Sequence, residues 1–222
     1  MKAVIFANGK FSARGKTKAQ TLCRQAGLII AADGGIRHCR DIQISPHVLL
    51  GDLDSAPAEL VDWAEKSGAV LLRYPEDKDK TDLELALDLA CNRGVTTVSL
   101  FGALGGRRDM SLANLLLPAA PAYENLRITL YDGPTRVDLL RSGNRREVSA
   151  TPGCRVSLIP VNGQAEGVTL TGFKYPLADH TISFGSTLGI SNVLVAATGS
   201  IVLRKGLLLC ILTEPDYQKR MY

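Results

Sequence analysis

The sequence predicts an α/β protein: an N-terminal parallel sheet with helices on both faces, followed by a small antiparallel β-sandwich domain. Three observations carry this. Over roughly the first 130 residues, short β-rich runs alternate with helical patterns, as in a parallel sheet covered on both sides. After about Asp132 the helical periodicity stops, and short strands punctuated by glycines follow at close spacing. A chain of 222 residues, 45% hydrophobic and 22% charged, can bury a sizeable core, and its composition excludes wholesale disorder.

Residues 3–7 form the first strand; with Met1 and Lys2 before them and Asn8-Gly9 after, the segment is too short for a signal peptide. Further strands fall at 28–32, 48–50, 69–74, 97–101 and 127–131. Helical stretches fall between them at 19–26, 58–66, 83–92 and 111–117. Ser55 is the expected cap of helix 58–66. Thr81 and Glu84 have capping-box spacing ahead of Leu83, Ala86, Leu87 and Ala90, which mark the buried face of helix 83–92. The polar segments Ser142-Gly143-Asn144-Arg145-Arg146 and Thr151-Pro152-Gly153 read as a linker, giving domains 1–146 and 147–222. Strands of the second domain are expected at 155–159, 168–171, 181–184, 192–196, 200–204 and 208–212.

Several function classes drop out. The longest apolar run, 207–212, is far short of the roughly 18–20 residues of a membrane span. A net charge of +4 suits an anionic small molecule but is too small to argue for nucleic acid. Five scattered cysteines without a Cys-x-x-Cys pair favour free thiols in a reducing compartment, hence a cytoplasmic protein.

Chemistry collects at five expected strand ends: Asn8-Gly9, Asp33-Gly34-Gly35, Gly51-Asp52-Leu53-Asp54-Ser55, the acidic run from Asp77 to Asp82, and Gly105-Gly106-Arg107-Arg108-Asp109. In open α/β sheets these ends share one rim, where ligands bind. In an extended chain Asp52 and Asp54 leave on the same side, about 6.6–7 Å apart at Cα. Two carboxylates that close call for a cation, and Mg²⁺ binds through one or two carboxylates plus substrate phosphates. Helix capping accounts for Thr81, Asp82 and Glu84 but not for Asp79, which lies beside two lysines. The glycines of 105–106 let backbone approach a phosphate, and an arginine there can hold its oxygens. The stretch Gly9 to Lys16-Thr17 imitates a P-loop, but five residues separate its glycines where the loop needs four.

Together and in this order, these segments, with Asn114 and a later Gly189-Ile190-Ser191-Asn192, resemble the thiamine pyrophosphokinases along essentially the whole chain. The resemblance implies a Rossmann-like nucleotide domain over 1–146 and a thiamine-binding, dimerising β-sandwich over 147–222. It implies diphosphate transfer from ATP to the hydroxyl of thiamine, releasing AMP, with Mg²⁺ as cofactor, in a homodimer whose active site is shared between subunits. Carried over residue by residue, Asp52, Asp54, Asp79 and Asp82 become catalytic and metal-binding. Asp33, Gly34, Lys80, Thr81, Gly106, Arg107, Asp109 and Asn114 become ATP-binding; Ser191, Asn192 and Asp82 become thiamine-binding. Two departures stand out. Met110 follows the Arg-x-Asp where bacterial members commonly have histidine, so no histidine acid–base role is assigned there. The one tryptophan, Trp63, lies in the first domain, leaving Tyr175 as a candidate for stacking on thiamine. Rival readings are a P-loop-like NTPase using Lys16 and Thr17, a non-catalytic nucleotide or thiamine sensor, and a related pyrophosphokinase acting on a pterin alcohol.

Overall fold

The computed structural model describes residues 1–215; residues 216–222, the end of the expected second domain, lie outside them. The chain divides into two compact units, Met1–Gly133 and Pro134–Tyr222.

The first unit is a six-stranded parallel sheet. Its strands are β1 (Lys2–Phe6), β2 (Leu28–Ala32), β3 (Val48–Gly51), β4 (Val70–Arg73), β5 (Thr97–Phe101) and β6 (Arg127–Asp132), in spatial order β6-β5-β1-β2-β3-β4. The helices are α1 (Ala13–Cys23), α2 (Ile36–Asp41), α3 (Ala58–Lys66), α4 (Asp82–Asn92) and α5 (Arg108–Leu116). Side chains alternate across a strand. Val4, Phe6, Ile29, Ala31 and Leu49 therefore share a core with Ala19 of α1, Cys39 of α2 and Ala64 of α3. The opposite face receives α4, which packs on β2 and β3 through its buried Leu83, Ala86, Leu87 and Ala90.

Two local expectations change. Helix α3 begins after Pro57 with no side-chain cap, and Ser55 instead donates its backbone N–H to Asp33 Oδ1 at 3.2 Å. Helix α1 begins at Ala13, six residues before 19, because the Ser12 side chain caps it by accepting from Gly15 N at 3.2 Å.

The second unit is a sandwich of two four-stranded antiparallel sheets. One has the order β12 (Asn192–Val193), β9 (Arg155–Pro160), β14 (Leu207–Thr213), β7 (Thr135–Arg141). The other has the order β11 (Leu177–Ile182), β10 (Ala165–Thr171), β13 (Thr198–Leu203), β8 (Asn144–Ser149). Leu140, Val148, Leu158, Val168, Ile201 and Leu208 meet between them. The division at Gly133 falls ahead of the expected 146, because residues 142–146 are not a linker. They turn from β7 into β8, two strands whose polar sequence hides them. Asp138 is buried and meets Arg136 Nε and Arg146 Nη1, each at 3.0 Å, so these two strands carry paired charge where the sequence reads as a polar linker or turn.

Candidate active site

In a parallel sheet all strands end on one side, and a crevice opens where the order changes direction. Here the chain runs from β1 outward to β4, then returns to lay β5 and β6 on the other side of β1. At that point the ends of β1, β2, β3 and β5, with the starts of α4 and α5, line a cleft of about 430 Å³. This volume lies within the roughly 300–1,000 Å³ of small-molecule sites.

The strand ends approach so closely that side chains are excluded. A Cβ on Gly9 would strike the carbonyl oxygens of Gly102 and Leu104, and those same carbonyls accept from Gly9 N at 2.6 Å and Lys10 N at 2.7 Å. His38 braces the loop from behind: its Nε2 lies 2.9 Å from the Gly9 carbonyl, which can only accept, so this nitrogen carries the proton. Burial holds the His38 pKa below its ordinary value, so the ring braces the loop in its neutral form.

Three carboxylates converge on the floor. Asp33, Asp52 and Asp82 each offer one oxygen, all within 4.8 Å of one another. Asp33 follows β2 in a left-handed conformation (φ +46°) and is buried. The β2–β3 register pairs Ala32 with Leu50, which brings the residues after them, Asp33 and Gly51-Asp52, side by side. Asp82 opens α4, where Thr81 caps the helix by accepting from Glu84 N at 3.2 Å and the helix dipole favours negative charge. Lys78 lies against this group, with Nζ 2.8 Å from Asp52 Oδ2 and 3.2 Å from Asp82 Oδ1.

The environment splits the two carboxyls. The hydrogen bond from Lys78 holds Asp52 below the usual carboxylate range, whereas burial raises Asp82 despite the same lysine. Asp82 Oδ1 is inaccessible to solvent and, although close to the Lys78 ammonium, accepts no well-directed hydrogen bond. An all-oxygen donor set with an orphaned carboxylate oxygen fits a hard divalent cation.

The other expected site residues are distributed unevenly. Asp54 lines the cleft but lies outside the group of three: Leu53 has φ +65°, so the segment is not extended and the expected same-side alternation does not hold. Its backbone N–H instead donates to Asp52 Oδ1 at 3.3 Å, and its Oδ1 accepts from Ser55 Oγ at 3.0 Å. Asp79 is exposed and away from the cleft lining. Lys80 also lies off the lining, its Nζ drawn 2.6 Å from Asp88 Oδ2 and 3.6 Å from Glu84 Oε1 on α4.

Thr81, Gly106, Arg107 and Asn114 line the cleft; Gly34 is off the lining, and a Cβ on it would strike Asn8, which does line it. Asn114 is buried and donates to the Ala103 carbonyl at 2.7 Å, tying α5 to the loop after β5. Arg107 stands at the rim in a two-point pair with Asp109, Nη2 to Oδ2 at 2.6 Å and Nε to Oδ1 at 3.4 Å; Asp109 itself is off the lining. Lys16 and Thr17 lie inside α1, and Lys16 pairs with Asp41 at 2.8 Å. Gly15 is thus the third residue of α1, so residues 9–15 do not form a loop that ends at the helix start.

Ser191 and Asn192 belong to the second unit. Asn192 is buried: its Oδ1 accepts from Tyr175 N at 3.0 Å and its Nδ2 donates to Tyr175 O at 2.7 Å, while Ser191 is exposed at φ +58°. Sequence reasoning did not find Lys78, the place of Asp33 among the carboxylates, or Ser111. Ser111 Oγ accepts from Gly105 N at 3.1 Å and donates to Arg107 O at 2.9 Å. For Lys78 a signal existed, since it stands four residues before Asp82.

Comparison with known proteins places both units. The thiamin pyrophosphokinase catalytic-domain model matches residues 19–130, and the model of the family's vitamin B1 binding domain matches residues 145–208. The chain belongs to the thiamine pyrophosphokinase family. It is 35% identical to the thiamine pyrophosphokinase of Bacillus subtilis over 83% of this chain and 86% of that protein. The crystal structure of a thiamine pyrophosphokinase from the same organism covers 97% of this chain and is itself covered in full, with a TM-score of 0.84. The fold extends to a family member from Candida albicans, at 16% identity and a TM-score of 0.76. The two family models leave residues 131–144 between them, and the structural division after Gly133 falls in that interval.

Proposed function

We propose that this protein transfers the diphosphate of ATP to the hydroxyl of thiamine, forming thiamine diphosphate and AMP, with Mg²⁺ held by Asp33, Asp52 and Asp82. The observation that carries the reading is the convergence of these carboxylates in a glycine-lined cleft at the strand ends. When bound, the metal neutralises charge on the triphosphate, and such transfers depend on positioning and charge stabilisation. The chain's own residues do the rest. Asn114 and Ser111 fix the 102–107 loop, whose glycines admit phosphate, and Arg107 exchanges its rim contact with Asp109 for phosphate oxygens. Asp54 and Thr81 border the same space, and Asp54 is the carboxylate there not drawn into the group of three.

The family relationship extends the proposal to thiamine binding by the second unit through Ser191, and to a homodimer sharing its sites. Tyr175, Phe184, Leu188, Ile190 and Val195 of that unit are each exposed, apolar side chains of the kind a second copy would cover. No disulfide joins the cysteines among the described residues, which accords with the cytoplasmic location proposed here.

Incubating protein, Mg²⁺, ATP and thiamine and identifying both products tests the reaction. AMP with thiamine diphosphate is expected; ADP, or no thiamine product, overturns it. Mixing an Asp52→Asn variant with a Ser191→Ala variant tests the shared site. If each is inactive alone, subunit exchange restores about a quarter of native activity, because half the dimers carry one intact site of two.

A further inference from the structure

We propose that Lys78 is the built-in counter-cation of the carboxylate group: it holds Asp52 and Asp82 together in the metal-free protein and gives up that contact when a divalent ion is ligated. The inference rests on the reading of Asp33, Asp52 and Asp82 as a metal site.

Its geometry is that of an occupant. One ammonium lies against two of the three carboxylates, at 2.8 and 3.2 Å, and also donates to the Pro75 carbonyl at 3.2 Å. Two of these contacts are hydrogen bonds, to Asp52 and Pro75, and the third, to Asp82, is an ion pair without a directed hydrogen bond. The side chain is only 13% exposed, so little water screens the pair. Asp52 is fixed at the end of β3 and Asp82 by the capped start of α4, whereas Lys78 stands between β4 and α4 in neither helix nor strand. Its four-carbon stem lets the charge withdraw while the carboxylates stay. Lys80, two residues on, has no such role, because Asp88 and Glu84 engage it on α4.

Ion and lysine would therefore compete for the charge of the same two carboxylates, and Lys78 would set how weakly the metal is held. Mn²⁺ alone, titrated calorimetrically into the full chain stripped with EDTA, tests this. Lys78→Met keeps the stem and removes the charge; it should bind Mn²⁺ about tenfold more tightly, or ~1.4 kcal/mol, and unfold at a lower temperature without metal. Lys78→Arg should bind like the native protein. If Lys78→Met does not fold, as read by circular dichroism, Lys78→Gln carries the same expectation. Equal or weaker binding after loss of the charge overturns the inference; if Asp52→Asn also abolishes native Mn²⁺ binding in that case, the metal site itself stands. If no protein binds Mn²⁺, with or without ATP, the metal reading falls and this inference with it.

Discussion

Asp82→Asn should make the metal-free protein more stable while crippling its use of metal. The amide keeps the shape of the side chain and removes one charge from a group of three carboxylates. Burial raises the Asp82 pKa, the charges of Asp52 and Asp33 raise it further, and Lys78 opposes them. A carboxyl whose pKa is higher folded than unfolded binds its proton more tightly in the native state. Stability is therefore full below the unfolded value of about 3.9, declines as pH rises through the folded pKa, and stays reduced at neutral pH. Asparagine carries no such penalty. The gain is partly offset by loss of the 3.2 Å contact with Lys78, which retains Asp52 at 2.8 Å. Removing a functional strain of this kind commonly returns about 0.5–2 kcal/mol, or about 2–4 °C in Tm for each kcal/mol at this chain size. A charge-assisted ligand contact contributes about 1.5–3 kcal/mol, so the Mg²⁺ requirement should rise roughly 10- to 150-fold. Thermal unfolding in EDTA at neutral pH and near the unfolded pKa, with Mg²⁺ titrations of AMP release, reads both effects. A lower Tm at neutral pH, a stabilisation that persists unchanged in acid, or an unaltered Mg²⁺ requirement would refute the reasoning.

Asp52→Asn should abolish most turnover while Asp79→Asn changes it less than about threefold, because Asp79 is exposed and off the cleft; comparable losses in steady-state rates would put Asp79 back in the site. Arg107→Ala should raise the KM for ATP roughly tenfold or more and Arg108→Ala should leave it near native, since only Arg107 lines the cleft; equal effects would undo that assignment. Lys16→Ala should leave nucleotide affinity unchanged in equilibrium binding, since its partner is Asp41; a loss as severe as that of Asp52→Asn would revive the P-loop reading. A Tm change within about 1–2 °C is expected for the same variant, because exposed ion pairs contribute little.

The parts of the fold legible in the sequence are those where burial alone writes the pattern. Strands β2 and β5 fall on their expected bounds; β2, covered on both faces, is a continuous apolar run, whereas in β5 the buried Val98, Leu100 and Phe101 alternate with or adjoin half-buried Thr97 and Ser99. Helix α3 does so because its apolar stripe is clear. Where polar groups carry the structure, the pattern disappears. Strands β7 and β8 hide behind Arg136, Asp138 and Arg146, and α2 is only six residues long and has no capping side chain. Strand β11 runs over Leu177–Ile182 rather than 181–184, because only Ile182 in it is fully buried and its exposed face obeys no apolar rule. The same division holds in the site. Acidic clusters at strand ends are visible in one dimension, but which three meet depends on the register between β2 and β3 and on a positive φ at Leu53. Neither is a property of spacing.

What lets the carboxylates meet is a missing side chain. Asp33, Asp52 and Asp82 come from three separate elements, so no local hydrogen-bonding pattern forces them together, and their charges oppose the approach. Gly51 lies between them at φ +135°, and a Cβ there would lie 3.1 Å from both Asp33 Cβ and Asp82 Oδ1. Any other residue would be strained in that conformation and would wedge the two aspartates apart. The convergence thus depends on two conditions that the sequence meets separately. Gly51 supplies the space, and Lys78, some 27 residues later, supplies a charge that offsets the repulsion between Asp52 and Asp82. Under the proposed metal reading, affinity would be the difference between what the carboxylates gain from the ion and what they already have from the lysine. Lys78 leaves Asp82 Oδ1 without a hydrogen bond, and on that reading the unsatisfied oxygen is what a cation would gain on binding.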